Sequence, residues 1–199
     1  SVMANRLTGI AEKLLQSIQN LSKSQTTRSG LIEEIIRVDH AGELAANQIY
    51  AGQLAVLKNS PSAPTISRMR AEEENHLDEM ERLAALNSVR PSFFSPIFAL
   101  AGYTLGVSSA LGGKEGAMGC TMAVEELIGG HYNEQMKRLI EVAPDENKLL
   151  ETLSKLRDDE LHHYEVGREN EGEKSVLSSP LKPVVQTACR IAMKIAEKV

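Results

Sequence analysis

The sequence predicts an all-α protein: a four-helix bundle with additional helices, built from two helical hairpins joined by an apolar crossover helix. Three observations carry that prediction. Leu, Ala, Glu, Ile and Met are plentiful while aromatic residues make up only 4% with no Trp, a balance that favours helix over strand. Apolar residues recur at alternating steps of three and four, and no period of two persists. Pro, Gly, Asn and Ser gather at a few sharp breaks, Asn59-Ser-Pro-Ser-Ala-Pro64, Arg90-Pro-Ser92, Gly112-Gly113 and Ala143-Pro-Asp145, with long uninterrupted stretches between them.

The breaks delimit six helices, over about 31–58, 64–88, 94–111, 115–142, 145–170 and 180–198. The first repeats Ile36, Glu43, Tyr50 and Leu57 at intervals of seven, with Leu54 between, so Glu43 lies in a core-facing line. The second carries Ile66, Met69, Glu73, His76, Met80 and Leu83 on one seam, where a carboxylate and an imidazole interrupt the apolar run. The third belongs to a stretch of 23 residues, 91–113, without a charged side chain. That length would just span a bilayer. Two prolines at one end, several Ser and Gly, and no second segment of this kind point instead to a buried crossover between the hairpins that touches membrane.

The fourth helix aligns Met118, Met122, Glu125, Gly129, Tyr132, Met136 and Leu139, which turns Glu125 inward and Glu126 about 100° away, toward Asn133 and Lys137 on the wetter face. The fifth aligns Leu149, Leu153, Leu156, Glu160, His163 and Gly167. The sixth places Val184, Ala188, Ile191, Ile195 and Val199 on one stripe and Arg190, Lys194 and Lys198 on another, a pattern suited to the edge of a bundle or to an anionic membrane surface. Ahead of the bundle, residues 1–30 carry Arg6, Lys13, Lys23 and Arg28 against the single acid Glu12, and read as a flexible or targeting-like segment. The domain proper is assigned to residues 31–199.

With 22 Lys and Arg against 27 Asp and Glu, the net charge of −5 offers no attraction to a phosphate backbone, so nucleic acid is excluded as a partner. Cys120 and Cys189, 69 positions apart, form neither a disulfide framework nor a Cys-x-x-Cys site, which fits a reducing compartment.

The chemistry lies in the polar residues on the apolar seams. The second and fifth helices both carry Glu-x-x-His, the i, i+3 pair that points two ligands from one helix at one ion. Each is preceded by a helix with one inward Glu: Glu43 stands 30 positions before Glu73, and Glu125 stands 35 before Glu160. The chain thus reads as a degenerate duplication. Four ionised carboxylates inside a bundle would each cost several kcal/mol, roughly, if left unpaired. Two divalent cations balance the charge of Glu43, Glu73, Glu125 and Glu160, and neutral His76 and His163 complete the donor set. Mixed oxygen and nitrogen donors without thiolate fit iron or manganese better than structural zinc. His40, His131 and His162 read as capping, surface or outer groups, and Glu72 and Glu74 as solvated surface. Tyr50 and Tyr132 read as core aromatics whose hydroxyls need partners. Asp39, one turn before Glu43, is positioned to accept the second ring proton of a ligand histidine.

The segments Ile36-Arg-Val-Asp-His-Ala-Gly-Glu43, Glu73-x-x-His76, Gly113-Lys-Glu-Gly-Ala-Met118 leading into Ala123-Val-Glu125-Glu126, and Arg157-Asp-Asp-Glu160-Leu-His-His163 resemble the demethoxyubiquinone hydroxylase family of ubiquinone biosynthesis, over about residues 31–198. The resemblance implies a ferritin-like fold and a di-iron centre on Glu43, Glu73, His76, Glu125, Glu160 and His163. It implies hydroxylation of a polyprenyl demethoxyubiquinol ring with dioxygen and two electrons. It further implies the matrix face of the mitochondrial inner membrane as location, a peripheral association with that membrane, and a lipid-binding accessory protein of the same pathway as partner. NADH is linked to the family as electron donor, but no Gly-x-Gly-x-x-Gly follows a strand here, so no dinucleotide residues are assigned. Ala45 and Ala46 stand where relatives often show Gly. An isoprenoid tail requires an apolar channel, expected from the third helix with Phe93, Phe94, Phe98 and Leu100 and from Gly129 and Gly130.

The rival reading is an iron-oxidising or peroxide-scavenging protein of the ferritin or rubrerythrin kind. The missing Cys-x-x-Cys module and the uncharged third helix weigh against it. A non-enzymatic scaffold with a structural acidic core is the third. Oligomeric state, including a homo-oligomer, is left open by the sequence.

Overall fold

The computed structural model describes residues 27–178 and 181–198. The expected targeting-like character of the N-terminus falls on residues that lie, up to position 26, outside the described ones. The described residues form six α-helices: α1 (Arg28–Leu57), α2 (Ala63–Leu86), α3 (Ser95–Ala110), α4 (Gly113–Val142), α5 (Asn147–Glu169) and α6 (Lys182–Ala196). Two 3₁₀ turns, Gly172–Lys174 and Val176–Ser178, link α5 to α6. No strand occurs among the described residues.

Local chemistry sets the helix starts. Thr27 caps α1, its hydroxyl accepting the Gly30 amide at 3.1 Å. Proline occupies the first turn of α2, α3 and α6, where its missing N–H costs nothing. Gly113, at φ +74°, turns the chain from α3 into α4, a conformation open to glycine without penalty.

Hairpins α1–α2 and α4–α5 form the four-helix bundle, and α3 crosses between them. Leu31, Ile35, Met80, Leu139, Leu153 and Leu156 fill one end of the core. Ile66, Met69, Ala117, Met118 and Val166 fill the other. At mid-height the seams carry charge instead of hydrocarbon. Arg28 ties α1 to the α4–α5 turn through Asp145 at 2.8 Å and Glu146 at 2.5 Å.

The crossover differs from the expectation of a buried helix. One face of α3 packs on α1 backbone against backbone: a Cβ at Gly102 would overlap the carbonyl of Ala45, and one at Gly106 that of Ile49. Among the described residues nothing covers the other face, so Phe93 (83% exposed) just ahead of the helix, then Ile97, Leu100 and Tyr103 face outward. For the sixth helix the structure decides between the two alternatives. Its inward face is Val185, Cys189, Ala192, Met193 and Ala196, whereas the stripe of Val184, Ala188, Ile191 and Ile195 points out; Val199 lies outside the described residues. Among the described residues no helix is long and apolar enough to cross a membrane.

Candidate metal centre

Glu43, Glu73, His76, Glu125, Glu160 and His163 are all buried and meet at the middle of the bundle. They form two overlapping groups. Glu43, Glu73, His76 and Glu160 offer ligand atoms that all lie within 4.8 Å of one another, and so do Glu73, Glu125, Glu160 and His163. Glu73 and Glu160, one from each hairpin, belong to both groups. Glu43 with His76 completes one and Glu125 with His163 the other, so the site has the approximate two-fold character of the sequence duplication.

The outer partners obey the same symmetry. His76 Nε2 lies 3.1 Å from Asp159 on α5, and His163 Nε2 lies 2.7 Å from Glu72 on α2. Each carboxylate is the residue immediately before the Glu of the opposite Glu-x-x-His. Each ring thus turns Nε2 toward an outer carboxylate able to accept its proton and Nδ1 toward the interior. Tyr50 donates its hydroxyl to Glu125 at 2.8 Å, and Tyr132 donates to Glu43. Each tyrosine follows the inward Glu of its own helix by seven positions and reaches across to the Glu of the other.

Two expectations are corrected. Asp39 does not accept a ligand histidine's proton; it accepts from the Gln135 amide at 2.7 Å, with His131 at 3.6 Å, because its face of α1 meets α4 and not α2 or α5. Glu72 is not merely solvated surface, since it holds His163. The repeated pentad acid-Glu-x-x-His, Glu72 to His76 and Asp159 to His163, was the sequence signal for both outer carboxylates. Glu126 faces outward and accepts from Gln186 at 2.8 Å and from Lys182, tethering α6.

The electrostatics are those of a site built for cations. Glu43 Oε2, both Glu73 oxygens, Glu125 Oε2, Glu160 Oε2 and the Nδ1 atoms of both histidines are buried without an aligned hydrogen bond, although the Nδ1 atoms stand close to carboxylates, His163 at 3.0 Å from Glu73 and His76 at 3.3 Å from Glu160. Unsatisfied groups at this density are otherwise rare in a folded interior. Burial pushes the Glu43 and Glu125 carboxyls well above the usual carboxylate range, and neighbouring carboxylates push the same way. Burial opposes the charged form of His163, but the carboxylates of Glu160 and Glu73 outweigh it and push the ring up to about 12; His76 is raised in the same manner. Glu160 is opposed by burial, yet the two imidazoles hold it at about 2. Without cations the core therefore retains protons on its histidines. Two divalent ions in place of those protons would leave no net charge, and the grouped carboxylate and imidazole atoms are those that could hold them.

A cavity of about 80 Å³, open to the surface, reaches this centre between α1, α4 and α6. Glu43, Glu125 and Glu160 reach its floor, and its walls are hydrocarbon, including Val38, Ile49, Phe98, Ile128 and Met193. The channel expected from the third helix is thus made mainly by α1 and α6; Phe98 alone of the four residues predicted from that region lines it, and Gly129 and Gly130 do not. Gly129 packs against Leu161, and Gly130 lies in a polar groove on the outside. Glycine-driven contact with α1 draws α3 to one side, and α6 takes its place over the opening.

Comparison with known proteins places the whole bundle. The family model of ubiquinone biosynthesis protein COQ7 matches residues 30–196. The NADPH-dependent 3-demethoxyubiquinone 3-hydroxylase, mitochondrial, of Caenorhabditis elegans is 57% identical over 174 residues, covering 87% of this chain and 93% of the relative. The human protein of the same name is 43% identical over 168 residues, covering 84% and 77%. The 3-demethoxyubiquinol 3-hydroxylase of Rhodospirillum rubrum is 37% identical over 172 residues, covering 86% and 80%. With a matching model over nearly all of the bundle and relatives of this identity on both hairpins, the chain belongs to the COQ7 family of ubiquinone biosynthesis proteins.

Proposed function

We propose that this protein is a di-iron monooxygenase that hydroxylates the ring of a polyprenyl demethoxyubiquinol. One observation carries the reading: two four-ligand groups that share Glu73 and Glu160 and lie at the floor of an apolar cavity. Glu43, Glu73 and His76, with Glu160, would hold one iron; Glu125, Glu160 and His163, with Glu73, the other. The bound pair supplies reductive activation of dioxygen, for which open coordination positions and oxygen-rich ligands are suited. In the overall reaction one oxygen atom converts a ring C–H to C–OH, and the other leaves as water with two electrons and two protons.

The chain's own residues do the positioning. Asp159 and Glu72 fix the histidine tautomers, and Tyr132 and Tyr50 fix the terminal carboxylates of Glu43 and Glu125. The hydrocarbon walls exclude water from the reacting face and receive an isoprenoid-bearing ring. The outward apolar side chains of α3 and α6, with Arg190 and Lys194 beside them, suit a peripheral seat on an anionic membrane from which such a substrate enters. The names of the nematode and human relatives specify NADPH, where NADH was expected, and a mitochondrial location, and both support the proposal; the matrix face of the inner membrane and a lipid-binding accessory protein complete it. An iron store or peroxide scavenger has no use for an apolar chamber at its ligands, which disfavours the rival reading.

The test is anaerobic iron reconstitution followed by addition of a demethoxyubiquinol and oxygen, with the product read by mass. A gain of one oxygen atom on the ring is expected, and Glu160→Ala abolishes both iron uptake and product while leaving the helical circular dichroism in place. An unchanged substrate mass with two irons bound refutes the hydroxylase reading.

A further inference from the structure

Gly42 sits in the interior of α1, next to Glu43, where glycine weakens a helix relative to alanine. Two structural reasons normally justify such a residue, a positive φ or the close approach of another chain. Neither applies. Gly42 has an ordinary helical backbone, and a Cβ built on it meets no heavy atom within 4 Å. By contrast Gly52, Gly102 and Gly106 of the α1–α3 contact all face backbone atoms that a Cβ would strike. What lies before Gly42 is the apolar cavity itself, which it lines together with Glu43 and Glu125. The absent side chain therefore adds nothing to packing and adds room to the chamber at the height of the carboxylates.

We propose that Gly42 is a specificity-determining position: its missing side chain leaves the space in which the substituted quinol ring lies against the α1 backbone beside Glu43 and Glu125. The inference rests on the hydroxylase reading above and adds to it the wall that sets the width of the chamber. A Cβ here strikes no neighbour, and a longer side chain continues into the chamber, so ring binding fails while the helix carrying Glu43 persists. Gly130 provides a matched control. It too is a helical glycine whose Cβ would meet nothing within 4 Å, but it opens onto the outer polar groove and not the cavity.

The experiment compares the parent chain with Gly42→Ala, Gly42→Leu, Gly42→Phe and Gly130→Leu. Binding of a short-tailed demethoxyubiquinone analogue to metal-free protein is measured by equilibrium dialysis, iron content after reconstitution by metal analysis, and folding by thermal melting. Gly42→Ala is expected to melt above the parent. Gly42→Leu weakens analogue binding about tenfold or more, and Gly42→Phe abolishes it. Iron content in the Gly42 series matches the parent, and Gly130→Leu binds the analogue as the parent does. Parental binding and turnover in Gly42→Leu and Gly42→Phe would overturn the role of Gly42 and leave the hydroxylase reading standing. A parent chain that takes up iron but neither binds nor hydroxylates the analogue would overturn both. Loss of binding in Gly130→Leu equal to that in Gly42→Leu would trace the effect to the helices generally and overturn the assignment. If Gly42→Phe does not fold, Gly42→Leu decides.

Discussion

Removing Glu72 or Asp159 isolates the contribution of the outer carboxylates to metal affinity. Each accepts the Nε2 proton of a histidine on the opposite hairpin, at 2.7 Å for Glu72 and 3.1 Å for Asp159. A hydrogen bond to a charged group contributes about 1.5–3 kcal/mol when sheltered. Both carboxylates are partly solvated, with side chains 39% and 41% exposed, and water screens part of that interaction. The expected loss for Glu72→Ala and Asp159→Ala is then about 1.4 kcal/mol each, or roughly tenfold in metal affinity, at the lower end of what such partners contribute elsewhere. The shorter bond predicts the larger effect at Glu72. Glu72→Gln keeps an acceptor but loses the charge, so its loss is smaller, about threefold. Glu74→Gln, on an exposed residue paired with Arg70 at 3.2 Å, changes nothing. Titration of metal-free protein with iron(II) against a competing chelator under nitrogen measures all four. Affinities of Glu72→Ala and Asp159→Ala within twofold of the parent, or an equal loss in Glu74→Gln, would show that the outer carboxylates do not orient the rings.

Metal-free protein is expected to lose stability as pH rises above 6.5. The folded chain holds a proton on His163 up to about 12, against 6.5 ordinarily, so that stabilisation is complete below 6.5 and drains above it; His76 acts over the same window, and Glu43 and Glu125, raised from 4.5, already drain above 4.5 in the same direction. Metal binding displaces these protons, so the rise in melting temperature on adding iron(II) grows from pH 6 to 8, as differential scanning calorimetry would register. Below 4.5 the sign reverses through Glu160, whose stabilisation disappears as pH falls toward 2. Gly106→Ala drives a Cβ into the Ile49 carbonyl and separates α3 from α1, a loss of about 3 kcal/mol or more in urea unfolding. Replacing the outward Ile97 and Ile191 with Glu leaves melting unchanged and reduces co-sedimentation with anionic vesicles; undiminished co-sedimentation would remove these faces from the membrane seat.

Helix positions and their inward polar residues were legible in the chain because both depend on local periodicity. The expected span 115–142 and the observed Gly113–Val142 differ by two residues at one end, since Gly and Pro breaks act within a turn of where they stand. Glu125 was separable from Glu126 because one residue is a 100° rotation, and only one of the two continues the line of Met118, Met122 and Tyr132. The same reasoning left α6 open between a bundle edge and a membrane surface. Two of its faces are apolar, and periodicity cannot say which of Val184-Ile191-Ile195 or Val185-Ala192-Ala196 turns inward when no charged residue separates them.

By itself, then, the amino-acid order determined an antiparallel helical bundle, its duplication, and the six side chains aimed at its axis, since helical spacing places residues three, four and seven apart on one face whatever surrounds them. The tertiary structure decided everything that passes between hairpins. Tyr50 reaches Glu125 and Tyr132 reaches Glu43, Glu72 holds His163 and Asp159 holds His76, and α6 in place of α3 covers the cavity. Those pairings depend on how far each rod is rotated about its own axis against its neighbours. That rotation is settled by side-chain packing across more than 70 positions of sequence, as the 75 positions from Tyr50 to Glu125 illustrate, and no local pattern records it.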